Sequence, residues 1–310
     1  MKKIGLIYHQ DYLEHNTGHH PENKYRLIYT LKHLQKSFLK KHLIYISPLK
    51  ADEKYLQLIH TQKYIDFVKK SCKNGNKFIE KDTPICENSF NVALLAVGGV
   101  FSGIDAVMKQ KVSSAFVLLR PPGHHAEKDK AMGFCLFNNI AIGAKYIQQK
   151  YNIQKIFIID FDVHHGNGTQ QAFYEDPSIF FTSIHQYPFY PGTGNKNEIG
   201  EKKGKGFTLN IPLSVNSGNE EYEKNFEKYI FPEIKKFKPD FFLISAGFDA
   251  YEQDPLSNMN LTIEGFNKIG KLISEISNIY SNGKIVSILE GGYNINKLPY
   301  LIEAYLEAFI

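Results

Sequence analysis

Short runs of β-branched and aromatic residues alternate along this chain with longer segments whose apolar residues recur at helical spacing, and that alternation admits few folds. The runs IGLIYH (4–9), SAFVLLR (114–120), KIFIID (155–160), IFFTSIH (179–185), FTLNIPL (207–213), DFFLISAG (240–247) and KIVSILEGG (284–292) read as strands. Segments 89–110, 138–151, 219–237, 262–280 and 298–309 read as amphipathic helices, with Ser89 and Thr262 as expected N-caps. Strand, helix, strand in regular succession predicts an α/β fold around a mostly parallel sheet. With 310 residues and 43% hydrophobic side chains, the chain can fill one large core. No linker, internal repeat or low-complexity tract interrupts it, so a single catalytic domain over residues 1–310 is expected.

The polar residues fall where a parallel sheet gathers its ligands. Nearly every expected strand ends in a group that chemistry can use: His124 and His125, Asp160, Asp162, His164 and His165, His185, Asp249, then Glu290 and Tyr293. In open parallel sheets ligands bind outside the carboxyl ends of the strands, so these ends should converge on one site. Asp162 and His164 stand two apart, a spacing that aims both at one point if the backbone stays extended. Asp249, after another strand, is the natural third ligand. Three protein ligands and an open position describe a catalytic zinc site. An isolated Asp-x-His is more often a hydrogen-bonded loop start; here the other strand-end groups and flanking glycines weigh against that reading.

Several function classes recede on composition. The 37 basic and 32 acidic residues give a net charge of +5, spread without the concentrated stripe of a nucleic-acid interface. The three cysteines, Cys72, Cys86 and Cys135, form no paired motif, which argues for a reducing compartment and sets the cytoplasm as the expected location. No run of about 18 apolar residues occurs, so no membrane partner is expected.

Six segments, RPPGHHAE, GFCLFNNIAIGA, DFDVHHGNGTQ, YPGTG, SAGFDAYEQDPL and LEGGYN, together with the earlier HPENKYRL, resemble in order the motifs of the zinc-dependent histone deacetylase family. The likeness is nearest to its class II and bacterial amidohydrolase members. It implies a single-domain arginase/deacetylase fold with a parallel eight-stranded sheet between helices, one strand more than the seven read above. It implies Asp162, His164 and Asp249 as zinc ligands, His124 and His125 as paired histidines over the metal, and Tyr293 as the phenol that meets the substrate carbonyl. Asp160 would orient His124, and Asn167 would face His125 as a neutral partner that leaves it less basic. A potassium ion would sit at Asp160, Asp162, His164 and Ser183, and a second near Phe173 and Phe207.

The same resemblance implies a tunnel walled by Phe134 and Tyr190, with Gly133 supplying backbone, Asp82 on the rim and Leu256 near the mouth. Met132 and Cys135 are read as packing residues. Related ureohydrolases bind two manganese ions, but Gly166 and Gly247 stand where their extra carboxylates would be needed. Acetylpolyamine deacetylases can carry an acidic group where this chain has Leu256, which tilts the expected substrate from small acylated amines towards acyl-lysine in proteins. A silent acyl-lysine binding module is the competing reading; retention of the three ligands and Tyr293 argues against it.

Overall fold

A computed structural model describes residues 2–310. Ten strands occur in chain order: β1 (Ile4–Ile7), β2 (Leu43–Ile46), β3 (Phe78–Glu80), β4 (Thr83–Pro84), β5 (Ser114–Val117), β6 (Ile156–Asp160), β7 (Ile179–Gln186), β8 (Thr208–Leu213), β9 (Phe241–Ala246) and β10 (Ile285–Leu289). Eight of them form one sheet in the order β2-β1-β5-β10-β9-β6-β7-β8, every neighbouring pair parallel. The remaining two, β3 and β4, make a small antiparallel hairpin.

The seven expected strands are all present, and the eighth is the edge strand β2. Its sequence, LIYI, leaves Ile44 and Tyr45 exposed, whereas β5, β6, β9 and β10 are buried throughout. Strands covered on both faces become continuous apolar runs that stand out in a sequence. An edge strand of four residues does not.

Among the described residues nine α-helices flank the sheet: α1 (Tyr25–Leu34), α2 (Gln62–Lys73), α3 (Ser89–Met108), α4 (Asn139–Tyr151), α5 (Asn167–Phe173), α6 (Asn219–Asn225), α7 (Phe231–Phe237), α8 (Ile263–Ser281) and α9 (Leu298–Glu307). Parallel crossovers are right-handed, so a connection that steps towards β8 and one that steps towards β2 lie on opposite faces. By that rule α2, α3, α4 and α5 cover one face; α1, α6, α7, α8 and α9 cover the other. Packing of α3 on α4, and of α8 and α1 on α9, agrees. Helix α3 has the length and apolar composition to cross a membrane, yet it is enclosed between the sheet and its neighbours.

Thr262 caps α8 as expected, its hydroxyl accepting the Gly265 N–H at 3.3 Å. Ser89 does not cap α3. Asn88 holds the cap position, and the Ser89 hydroxyl instead accepts the Cys86 N–H at 2.8 Å and meets His15 Nδ1 at 2.7 Å.

Candidate active site

Four adjacent strands, β5, β10, β9 and β6, deliver the polar residues from their carboxyl ends. β6 ends at Asp160, whose Oδ1 accepts the Asp162 N–H at 3.1 Å and so fixes the turn that follows. Asp162 Oδ1 accepts the His164 N–H at 2.9 Å and lies 3.1 Å from His164 Nδ1. Asp249, from the end of β9, accepts the Val163 N–H at 3.0 Å through Oδ1 and brings Oδ2 to 3.2 Å from the same His164 nitrogen. One ligand atom from each of Asp162, His164 and Asp249 thus falls within 4.8 Å of the others.

This donor set fits a small divalent cation. Both carboxylates are buried, and burial together with the adjacent Asp162 pushes Asp249 above the ordinary carboxyl range. Two desolvated carboxylates held this close need positive charge between them. Two oxygens and one imidazole nitrogen suit zinc and leave a coordination position open.

Space is closed around the triad. A Cβ on Gly291 would lie 2.1 Å from Asp249 Oδ2 and 2.6 Å from Asp162 Oδ2, so the chain passes there only as glycine. The Gly291 N–H meanwhile donates to Asp162 Oδ2 at 2.8 Å. A Cβ on Gly247 would meet Asp162 Oδ2 at 2.1 Å, which excludes any carboxylate side chain at that position.

The two histidines after β5 are held in opposite states. Their rings lie 4.0 Å apart. His124 Nδ1 is 3.0 Å from Asp160 Oδ2; burial opposes a charge on this ring, but Asp160 and Asp162 raise it to about 10. His125 Nδ1 is 2.7 Å from Asn167 Oδ1, and the Asn167 amide nitrogen donates to Glu127 Oε1 at 2.8 Å. Only the NH2 end of Asn167 can face Glu127, so its oxygen faces His125 and the His125 Nδ1 carries the hydrogen. The lone pair of His125 is therefore on Nε2. Burial, reinforced by His124 and His164, depresses this ring well below the ordinary imidazole range.

Above the triad opens a cavity of about 490 Å³ lined by His125, His164, Gly133, Phe134, Phe189, Tyr190, Leu256, Tyr293 and Asp82, among others. Gly133 has φ +56°, and a Cβ there would strike the His125 ring at 2.2 Å. Phe134 stands edge-on to Tyr293 at 5.7 Å, and Tyr190 edge-on to His125 at 5.3 Å.

The family pattern described as the histone deacetylase domain matches residues 20–309. The chain belongs to the histone deacetylase family. A probable deacetylase of Archaeoglobus fulgidus is 39% identical over 96% of this chain and 83% of its own length. The chloroplastic histone deacetylase 10 of Oryza sativa subsp. japonica is 38% identical over 96% of this chain and 71% of its own. In structure, the HDA15 HD domain superposes with a TM-score of 0.93 at 32% identity, covering 99% of this chain and 88% of that domain. The chain is accordingly a hydrolase of the deacetylase class.

Within this histone deacetylase fold the expected metal, histidine, tyrosine and tunnel residues come together, but not every strand-end group joins them. His165 turns away, meeting Thr193 Oγ1 at 2.7 Å and Gln170 Oε1 at 3.0 Å. His185 is held between Ser183 Oγ and the Gly194 carbonyl, both at 2.9 Å. Met132 is more than packing, since its sulfur accepts from Asn167 Nδ2 at 3.3 Å. Cys135 is buried as expected.

Sequence reading assigned no role to several residues that shape the site. Glu290 lies under the histidine pair, its Oε2 accepting the N–H groups of Gly123 at 2.7 Å and His124 at 3.2 Å; burial raises it to about 7. Asp254 Oδ2 accepts the N–H groups of Tyr293 at 2.7 Å and Asn294 at 3.1 Å and fixes the turn that presents the phenol. Arg26, fully buried, donates to the carbonyls of Gly292 and Glu290 on either side of the Gly291 contact and stacks its guanidinium 5.1 Å from the Tyr293 ring centre. The only signal for these was their presence inside the quoted motifs.

Proposed function

We propose that this deacetylase removes acetyl or other acyl groups from the side-chain amine of lysine in proteins, with one zinc ion held by Asp162, His164 and Asp249. The observation that carries the reading is the His125–Asn167 pair: it places a neutral imidazole, lone pair on Nε2, in the cavity wall beside a buried carboxylate–imidazole triad. When bound there, zinc polarises an acyl carbonyl and lowers the pKa of bound water towards about 7. His125 Nε2 takes the proton of the attacking water and later hands it to the departing amine nitrogen. The products are a carboxylic acid and a free amine, with no proton left over.

His124, held as imidazolium by Asp160, contributes a fixed positive field. Burial keeps the Tyr293 hydroxyl protonated far above its usual range, so it remains a donor to the carbonyl oxygen as negative charge gathers there. Phe134 and Tyr190 grip the aliphatic stem, and Leu256 offers no charge to a second amine on the substrate. A potassium ion is proposed at Asp160, Asp162, His164 and Ser183, where three of the four side chains are wholly or almost wholly buried, and another near Phe173 and Phe207.

Hydrolysis of a fluorogenic acetyl-lysine peptide should occur and be abolished by a chelator. Metal analysis should return about one tightly held ion per chain, lost together with activity in Asp249→Ala. Two equivalent ions, or turnover that survives their removal, would refute the assignment.

A further inference from the structure

The two-residue tip of the β3–β4 hairpin carries Asp82 to the mouth of the cavity, where its carboxylate is already occupied. Oδ2 accepts the Tyr190 hydroxyl at 2.9 Å and the Gly133 N–H at 3.2 Å. Oδ1 accepts the Thr83 hydroxyl at 2.8 Å, and the Thr83 oxygen in turn accepts the Phe134 N–H at 3.2 Å. One hairpin therefore ties together the two segments that supply the aromatic walls. A carboxylate offers about four acceptor sites, and three are spent here on the protein itself.

A substrate stem that reaches the triad through this mouth leaves whatever it is attached to beside Asp82. For an acyl-lysine in a peptide, that is main chain, with N–H donors seeking an acceptor. For a simple acylated alkylamine there is nothing. We propose that Tyr190 is a specificity-determining residue whose hydroxyl latches Asp82 and competes with a peptide's main-chain donors for that carboxylate, while acylated alkylamines without main-chain donors enter with the latch shut. The inference rests on the deacetylase reading above and adds to it a choice between two substrate classes.

Tyr190 is suited to the part. Its ring stands edge-on to His125 at 5.3 Å and His164 at 6.0 Å, so the wall stays in place without the hydroxyl. The hydroxyl end lies at the surface, with the residue 38% exposed, where one hydrogen bond can open without unpacking the core.

The test uses the zinc-loaded enzyme and two amides with the same stem: an acetyl-lysine tripeptide amide and N-pentylacetamide. The measured quantity is the ratio of their KM values, peptide over alkylamide, with kcat recorded separately. Tyr190→Phe should lower that ratio about fivefold or more through the peptide's KM. In an Asp82→Ala background the same substitution should leave the ratio where it was, because the latch needs both partners. A ratio unchanged or raised in Tyr190→Phe overturns the proposal, as does an equal fall without Asp82. A wild type that hydrolyses neither amide defeats the deacetylase reading instead; the latch is then judged by the ratio of dissociation constants for the same two amides, with the same expected shift.

Discussion

His124 and His125 share a sequence, a turn and a ring contact, yet one neighbour each sets them apart: a carboxylate for the first, a carboxamide for the second. Replacing that carboxamide should erase the difference. Asn167→Asp puts an anion 2.7 Å from His125 Nδ1 and favours the imidazolium, so less of the ring is available as base at neutral pH. The acidic limb of the kcat/KM profile should move to higher pH by about one unit or more; a limb that stays put would remove His125 from the proton transfer. Tyr293 invites a different measurement. A donor used mainly in the transition state changes kcat and not KM, so Tyr293→Phe should lower kcat about 10²-fold or more with zinc still bound. Near-normal kcat, or loss of the metal, would assign the phenol another task.

At the scale of elements, the site depends on turns more than on the strands they follow. The turn after β10 is held by Asp254, by Arg26 reaching across from the first turn of α1, and by the Gly291 contact with both carboxylates, all of them outside the strand it follows. The sequence displayed what this turn carries, because Glu290, the glycine pair and Tyr293 are adjacent in it. It hid what the turn leans on, because Arg26 lies 266 residues away along the chain. The helices divide differently. α1 and α2 carry an apolar stripe as clear as that of α8, but each is a single short helix set among polar loops, whereas α5 is seven glycine-bearing residues that only tertiary packing makes legible. Caps divide likewise: Thr262 caps through its own helix, whereas Ser89 is claimed by His15 and Cys86 from outside it. Thr262→Ala should therefore cost about 1 kcal/mol of stability with no change in kcat, read from the urea midpoint. A silent substitution would mean that the cap bond contributes nothing.

At the scale of the whole molecule, two buried histidines remote from the metal should cost stability in mild acid. His60 is buried with Nδ1 on the Glu127 carbonyl and Nε2 accepting the Asn138 N–H, a pairing that only the neutral ring can make. Burial lowers it to about 4. His15, buried against Ser89 and close to Arg120, is lowered by burial and that guanidinium to about 3. An unfolded imidazole titrates near 6.5, so between that value and the folded one the unfolded chain binds more protons, and stability falls as pH falls. The loss should begin below about pH 6.5 and reach about 3 kcal/mol from His60 alone near pH 4. Glu290, raised by burial to about 7, acts in the opposite sense, so the rings are read by difference: the urea midpoint of the wild type should fall relative to that of His60→Gln from pH 7 to 5.5 to 4.5, and a constant difference would show the ring charged in the folded state. The strand order carries a further consequence. β10, the last strand in the chain, lies between β5 and β9 and joins what would otherwise be two separate sheets, β2-β1-β5 and β9-β6-β7-β8. A ribosome making this protein releases both halves before the piece that unites them, each with an unpaired edge open to chaperones or to misassociation. The phenol that completes the site emerges only four residues after that strand, so an interrupted chain would hold its metal ligands in hand and still lack the closing donor.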